Sequence, residues 1–128
     1  MQQEEEFKAE LFSRVETFFG EAGFANVSAC HVVVVGIGGV GSHAASMLVR
    51  SGIGSVRLID FDNVALSSLN RHAVATISDV GTPKTVATSK ALKRVVPWYV
   101  CTQYTHTLYH FNVLCHYVYL SFVCDYSS

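Results

Sequence analysis

Apolar positions along this chain change period several times, and each change marks an element. Phe7, Leu11, Val15 and Phe18 recur at helical spacing, which predicts a helix over about 4–19 with an apolar stripe of the kind that faces a core. Glu4, Glu5 and Glu6 fall in its first turn, where the helix dipole favours acids. Gly20 and Gly23 mark its end, and a short helical turn is predicted over 24–29. The β-branched run His31-Val-Val-Val-Val35 is apolar on both faces and predicts a buried parallel strand. Residues 42–50 have helical composition, and 55–60 predict a second strand ending in an acid. The stretch 61–80 has no clean period and predicts a long functional loop with a helical turn. Thr82 and Pro83 then read as N-cap and first position of a helix reaching about Val96, stopped by Pro97.

Strand, glycine turn, helix and strand within about 30 residues have the size of a βαβ unit. The predicted fold class is therefore α/β: the N-terminal part of a doubly wound, Rossmann-like parallel sheet, incomplete, preceded by a helix. Its C-terminal tail is expected to be unstructured or poorly packed.

Composition divides the 128 residues in two. All nine Lys and Arg lie at or before Arg94, all six Tyr lie at or after Tyr99, and Asp125 is the sole charged side chain after Trp98. Residues 1–98 are read as a domain portion and 99–128 as a segment of different origin. No alternation or helical stripe runs through 99–128, so no element is predicted there. His106 and His110 are four apart and Cys115 adjoins His116, but no CxxC pair accompanies them, and no metal site is predicted. Val100-Cys101 is what a common splice-donor sequence encodes when read in frame, so an unspliced intron or a frameshift is the expected source. Sequencing the transcript checks this.

The averages exclude several classes. Hydrophobic residues make up 50% and charged residues 15%, which is not a disordered composition. A net charge of −1 gives no global electrostatic case for a nucleic-acid or membrane-surface binder, and no DNA partner is expected. No apolar run is long enough for a membrane span. Four cysteines without paired spacing predict a reducing, intracellular compartment.

The chemistry concentrates at Gly36-Ile-Gly38-Gly39-Val-Gly41, placed directly after a strand and before a helix. Gly36 permits the tight turn, Gly38 lets backbone approach a phosphate, Gly39 shares that loop, and Gly41 lets the helix pack on the strand. The phosphate then lies at a helix N-terminus, where free N–H groups and the dipole favour an anion. Asp60, 19 positions after Gly41, is placed to hold ribose hydroxyls. An acid there rejects a ribose phosphate, so the nucleotide is ATP or NAD(H) and not NADP(H). Arg71 and Lys84 then suit phosphoryl chemistry, because charge builds on the oxygens of a departing pyrophosphate. Arg71 can fork onto phosphate oxygens, Lys84 can act as a point charge, and Asn70 can donate to the same group.

Gly-Ile-Gly-Gly-Val-Gly, Asp-Phe-Asp-Asn-Val, Ser-Ser-Leu-Asn-Arg-His and Val-Gly-Thr-Pro-Lys, in this order, resemble the ubiquitin-activating-enzyme-like superfamily of ThiF and MoeB type. Arg14-x-Glu16-x-x-Phe19-Gly20-Glu21 upstream makes the chain most similar to the tRNA threonylcarbamoyladenosine dehydratase branch, over about 12–98. The resemblance implies a homodimer that uses ATP and magnesium to adenylate a carboxylate and release pyrophosphate. In the dehydratase branch it implies closure of the threonylcarbamoyl group on a tRNA adenosine into a ring. Carried over, Gly36, Gly38, Gly39 and Gly41 line the phosphates, Asp60 holds the ribose, and Asn70, Arg71 and Lys84 contact the triphosphate. Asp62 orients the loop or the metal, and Arg14 reaches the partner subunit's ATP. His72 is read as a loop-packing residue and Cys30 as a small core residue.

The resemblance also implies further strands and a magnesium-holding aspartate that no motif here supplies. The sheet is expected to be two strands with open edges, and the chain alone to show near-zero activity. The location implied is the cytoplasm or the outer surface of mitochondria. Alternatives are a ubiquitin-like-modifier or sulfur-carrier activating domain, an NAD-binding oxidoreductase fragment, a non-catalytic dimerisation partner, and a non-functional gene-model product.

Overall fold

The computed structural model describes residues 2–105 and 119–123. Helix α1 (Gln2–Ala29) precedes strand β1 (His31–Val35), helix α2 (Gly39–Arg50) and strand β2 (Ser55–Ile59). Two 3-10 turns, Leu66–Ser68 and Ile77–Asp79, lead to helix α3 (Lys84–Lys93) and strands β3 (Val100–Tyr104) and β4 (Tyr119–Val123).

The sheet has the order β3-β2-β1-β4. Strands β1 and β2 run parallel with His31 opposite Ser55, and β2 and β3 run parallel with Ser55 opposite Val100. Strand β4 is antiparallel to β1. The two crossovers, β1-α2-β2 and β2-α3-β3, step the same way across the sheet. Right-handed crossover therefore lays α2 and α3 side by side on one face. This is the doubly wound α/β class expected, in partial form.

Two expectations change here. The sheet is not limited to two strands, because β3 and β4, both in the stretch for which no element is predicted, flank β1 and β2. Pairing on both sides satisfies the backbone groups that open edges would expose. His106, His110, Cys115 and His116, at which no metal site was expected, lie outside the described residues.

The core is built from Val32 and Val34 of β1, Val56 and Leu58 of β2, Ala45 and Val49 of α2, Leu92 of α3 and Val96 just beyond it. Burial on β1 is less symmetric than its apolar run suggests. Val32 and Val34 are fully buried, whereas Val33 is half-buried opposite the exposed Arg57.

Helix α1 corrects the sequence reading most. It breaks at Gly20, whose φ of 75° and ψ of 165° are not helical, and Gly23 does not interrupt it. The predicted stripe does not reach the core: Phe7, Leu11 and Phe18 are exposed, Phe18 at 81%. Phe12 is buried instead, with its ring 5.5 Å from Phe24 and 6.3 Å from Trp98. Helical spacing could not select the face, since Phe12 and Phe18 are equally apolar. Phe24 and Trp98 converge on Phe12 only in three dimensions. Phe18→Ser is accordingly expected to shift unfolding free energy by less than about 0.5 kcal/mol in a denaturant titration.

Helix α3 begins at Lys84, one residue later than expected, and Thr82 does not cap it. The Val64 amide donates to the Thr82 carbonyl at 2.8 Å, and Asn63 bridges Pro83, which keeps Thr82 and Pro83 extended. No helix among the described residues is long and apolar enough to cross a membrane.

Candidate functional site

The C-terminal ends of parallel strands form a crevice where loops converge, the usual ligand position in a doubly wound sheet. Here the glycine loop leaves β1, the acid follows β2, and the 61–84 segment folds back beside both. Helix α2 starts at Gly39, inside the glycine motif and three residues earlier than predicted, with Gly38 at its N-cap. Its first amides therefore point into the crevice without intrahelical acceptors.

The four glycines differ in what their backbone does. Gly36 has φ of 83°, and its amide donates to the Ile59 carbonyl at 2.9 Å, which fastens the turn to β2. A Cβ at Gly41 would lie 1.7 Å from the Gly36 carbonyl oxygen. A Cβ at Gly38 would meet nothing within 4 Å, so backbone there is open to an incoming group. A Cβ at Gly39 would touch the aliphatic part of Arg71 at 3.4 Å.

Asp60 is buried and does more than the sequence reading assigned. Its Oδ2 accepts the Ile37 amide at 2.5 Å and its Oδ1 accepts the Asp62 amide at 2.8 Å. The carboxylate thus ties the glycine loop to the end of β2. A carboxylate offers about four lone-pair sites, so capacity remains for ribose hydroxyls.

Arg71 lies across Gly39. Its Nη1 donates to the Ser67 carbonyl at 2.8 Å and to Asn70 Oδ1 at 3.0 Å. His43 on α2 meets the Arg71 carbonyl at 3.3 Å. Lys84, buried at the start of α3, is paired with Asp62 at 2.7 Å, and its amide donates to the Asp62 carbonyl. The structure therefore brings together Gly36, Gly38, Gly39, Gly41, Asp60, Asp62, Asn70, Arg71 and Lys84. It does not bring Arg14, which is exposed on α1 in a surface groove with Phe7, Glu10, Leu11 and Ser13.

Ser42 and His72 were not among the predicted site residues, yet both brace it. The Ser42 hydroxyl donates to the Gly38 carbonyl at 2.6 Å and accepts the Ala73 amide at 2.9 Å. His72 Nδ1 accepts the amides of Val74 and Ala75 at 3.3 and 3.1 Å. A serine in the first helical turn and a histidine in an irregular loop carry no periodic signal that marks such a role. Burial, and next the Lys84 charge, hold the His72 imidazole below its usual pKa.

A crevice with free helix amides, an open backbone position, a fork-shaped cation and a point cation suits a nucleotide triphosphate. Magnesium finds no such fit: among the described residues, no group of three or more His, Cys, Asp or Glu side chains is placed to hold a metal ion.

The ThiF family model matches residues 12–125, beyond the 12–98 that carry the motifs. The tRNA threonylcarbamoyladenosine dehydratase 2 of Saccharomyces cerevisiae is 44% identical over 97 residues, covering 76% of this chain and 22% of the yeast protein. The tRNA threonylcarbamoyladenosine dehydratase of Bacillus subtilis is 45% identical over 73 residues, covering 57% of this chain and 29% of that protein. Among solved structures, E. coli tRNA N6-threonylcarbamoyladenosine dehydratase in complex with ATP matches with a TM-score of 0.74 and 34% identity, over 77% of this chain and 40% of that one. The chain thus spans 22% to 29% of the length of these two curated relatives.

Proposed function

Because the chain belongs to the ThiF family, we propose that it carries the ATP-binding portion of a carboxylate-adenylating enzyme of the tRNA threonylcarbamoyladenosine dehydratase type. The observation that supports this best is Arg71 packed across Gly39 at the start of α2, next to the open Gly38 position, with Lys84 held by Asp62, which Asp60 ties to the glycine loop. An oxidoreductase binding NAD has no need of two cations at the phosphates, whereas pyrophosphate departure does.

In this reading the α2 amides and Gly38 seat the phosphates, and Asp60 sets the ribose against the glycine loop. Lys84 exchanges its partner Asp62 for a phosphate oxygen, and Arg71 forks onto the same group. The two cations draw electron density toward the leaving oxygens while a substrate carboxylate attacks the α-phosphorus. ATP supplies the adenylyl group. Arg14 acts from a second copy in a homodimer, since within one chain it lies away from the crevice. The acceptor is the threonylcarbamoyl group on a tRNA adenosine, which then closes on itself with loss of AMP.

Titration of the purified chain with ATP and with NAD tests the nucleotide assignment. ATP is expected to bind at least about tenfold more tightly, a difference of about 1.4 kcal/mol. Preference for NAD overturns the proposal. Threonylcarbamoylated tRNA is expected to bind the ATP-loaded chain in competition with unmodified tRNA. Preference for a sulfur-carrier C-terminal peptide would instead assign the chain to sulfur-carrier activation.

A further inference from the structure

Three buried polar side-chain atoms among the described residues lack a hydrogen-bond partner: His72 Nε2 and the hydroxyls of Thr85 and Thr88. A threonine hydroxyl can rotate its proton toward any nearby acceptor. The His72 ring has no such freedom. Its Nδ1 accepts two backbone amides, those of Val74 and Ala75, so the neutral ring must carry its proton on Nε2. His72 is only 7% exposed, and an orphaned donor at that depth is costly unless something it faces completes it.

What it faces is the nucleotide crevice. The Ile37 carbonyl in the glycine loop acts on the ring, and so do Asp60 at the end of β2, Lys84 on α3 and His43 on α2. The ring is flanked by two fixed attachments of the same loop. The Arg71 carbonyl meets His43, and the Ala73 amide donates to Ser42, whose hydroxyl donates to the Gly38 carbonyl. The 71–75 segment is thereby fastened to α2 on both sides of His72, and the one bond left incomplete on the ring is that of Nε2, with the Ile37 carbonyl near enough to act on it.

We propose that His72 is a positioning residue: locked as the Nε2–H tautomer, it closes that donor onto the Ile37 carbonyl when nucleotide binds, joining the Arg71 loop to the glycine loop. This rests on the reading of loop 36–41 as the ATP site. Closure aligns Arg71 with the phosphates, because Arg71 precedes His72 and already lies on Gly39. It also requires a neutral ring, since a protonated Nδ1 can no longer accept the Val74 and Ala75 amides.

The sign of the pH dependence follows. Burial and Lys84 lower the imidazole pKa against the opposing pull of Asp60 and Ile37, with His43 a further lowering charge. The ring is neutral above its folded-state pKa and charges as pH falls through it. Closure, and with it ATP affinity, is present at neutral pH and lost on acidification.

Three variants and one spectroscopic measurement test this. Imidazole 15N shifts in the free protein are expected to show the Nε2–H tautomer, with the Nε2 proton moving downfield on ATP addition. His72→Ala is expected to weaken ATP binding about tenfold and to speed amide exchange at Gly38 and Gly39 as well as at Val74 and Ala75. His72→Gln, whose amide supplies both an acceptor and a donor, is expected to restore binding to within about threefold and to remove its acid dependence. His72→Phe, which fills the volume but bonds to nothing, is expected to behave like His72→Ala. Equal losses in the Gln and Ala variants, an Nδ1–H tautomer, or exchange changes confined to 73–75 would overturn the proposal. If the wild-type chain binds no ATP, the functional reading fails on that result. The tautomer and the glycine-loop exchange in the free variants still decide whether His72 supports that loop.

Discussion

Gly41→Ala is expected to abolish measurable ATP binding and to cost the fold about 3 kcal/mol, the upper end for forcing atoms into a packed site. The added carbon would stand 1.7 Å from the Gly36 carbonyl oxygen and 2.9 Å from its carbon. Neither neighbour is a flexible side-chain end. Gly36 is held in a left-handed turn, with φ of 83°, by its bond to Ile59. Relief therefore demands that α2 lift from β1, which displaces the very amides that would receive phosphate. Gly38→Ala is the matched contrast. Its Cβ meets nothing within 4 Å and its φ is −90°, so stability should stay within about 0.5 kcal/mol while ATP affinity falls. Denaturant titration and calorimetry on the two variants separate these effects. Unchanged ATP affinity in both would mean that the phosphates sit elsewhere.

Asp60→Asn is expected to weaken ATP binding at least tenfold and to lower stability by about 1–3 kcal/mol, the cost of leaving a buried backbone donor without its acceptor. Asp60 is 9% exposed, and its carboxylate serves the Ile37 and Asp62 amides with separate oxygens. An amide side chain offers one oxygen and one NH2, so one of these N–H groups must face a donor. The loop and the segment carrying Asp62, the partner of Lys84, then lose their common anchor. Loss of ATP affinity with unchanged stability would return Asp60 to a ribose contact alone. Loss of stability with unchanged affinity would make it purely structural.

These two residues show how far the sequence could be read. Gly41 was legible because the spacing of three glycines between a strand and a helix has one mechanical solution, and the close approach of Gly41 to the Gly36 carbonyl is that solution. Asp60 was legible as a site residue, but its first task was not: no spacing rule states that Ile37, 23 positions earlier, aims its amide at that carboxylate. His72 was legible only as a polar loop residue. Its role depends on which amides and which carbonyl surround the ring, and an aperiodic loop carries no such record. Helix α1 fails for a different reason. Its apolar positions are spread around the axis, so the stripe Phe7, Leu11 and Phe18 competed with Phe12 on equal terms, and partners distant in sequence chose Phe12.

The sequence by itself determined the class of the fold, the order of its first elements and which residues were candidates for the crevice. These are local properties: β-branched runs, glycine spacing, an acid at a strand end, and cations in fixed register with a phosphate turn. The tertiary structure alone decided which face of α1 is buried. It also decided that strands within 99–128 flank the sheet and that Asp60, Ser42 and His72 bind the loops to one another. Those outcomes depend on backbone groups far apart in the chain meeting in a low-dielectric interior. There an unmet hydrogen bond costs about 1–3 kcal/mol, a sizeable part of the roughly 5–15 kcal/mol by which a fold is preferred.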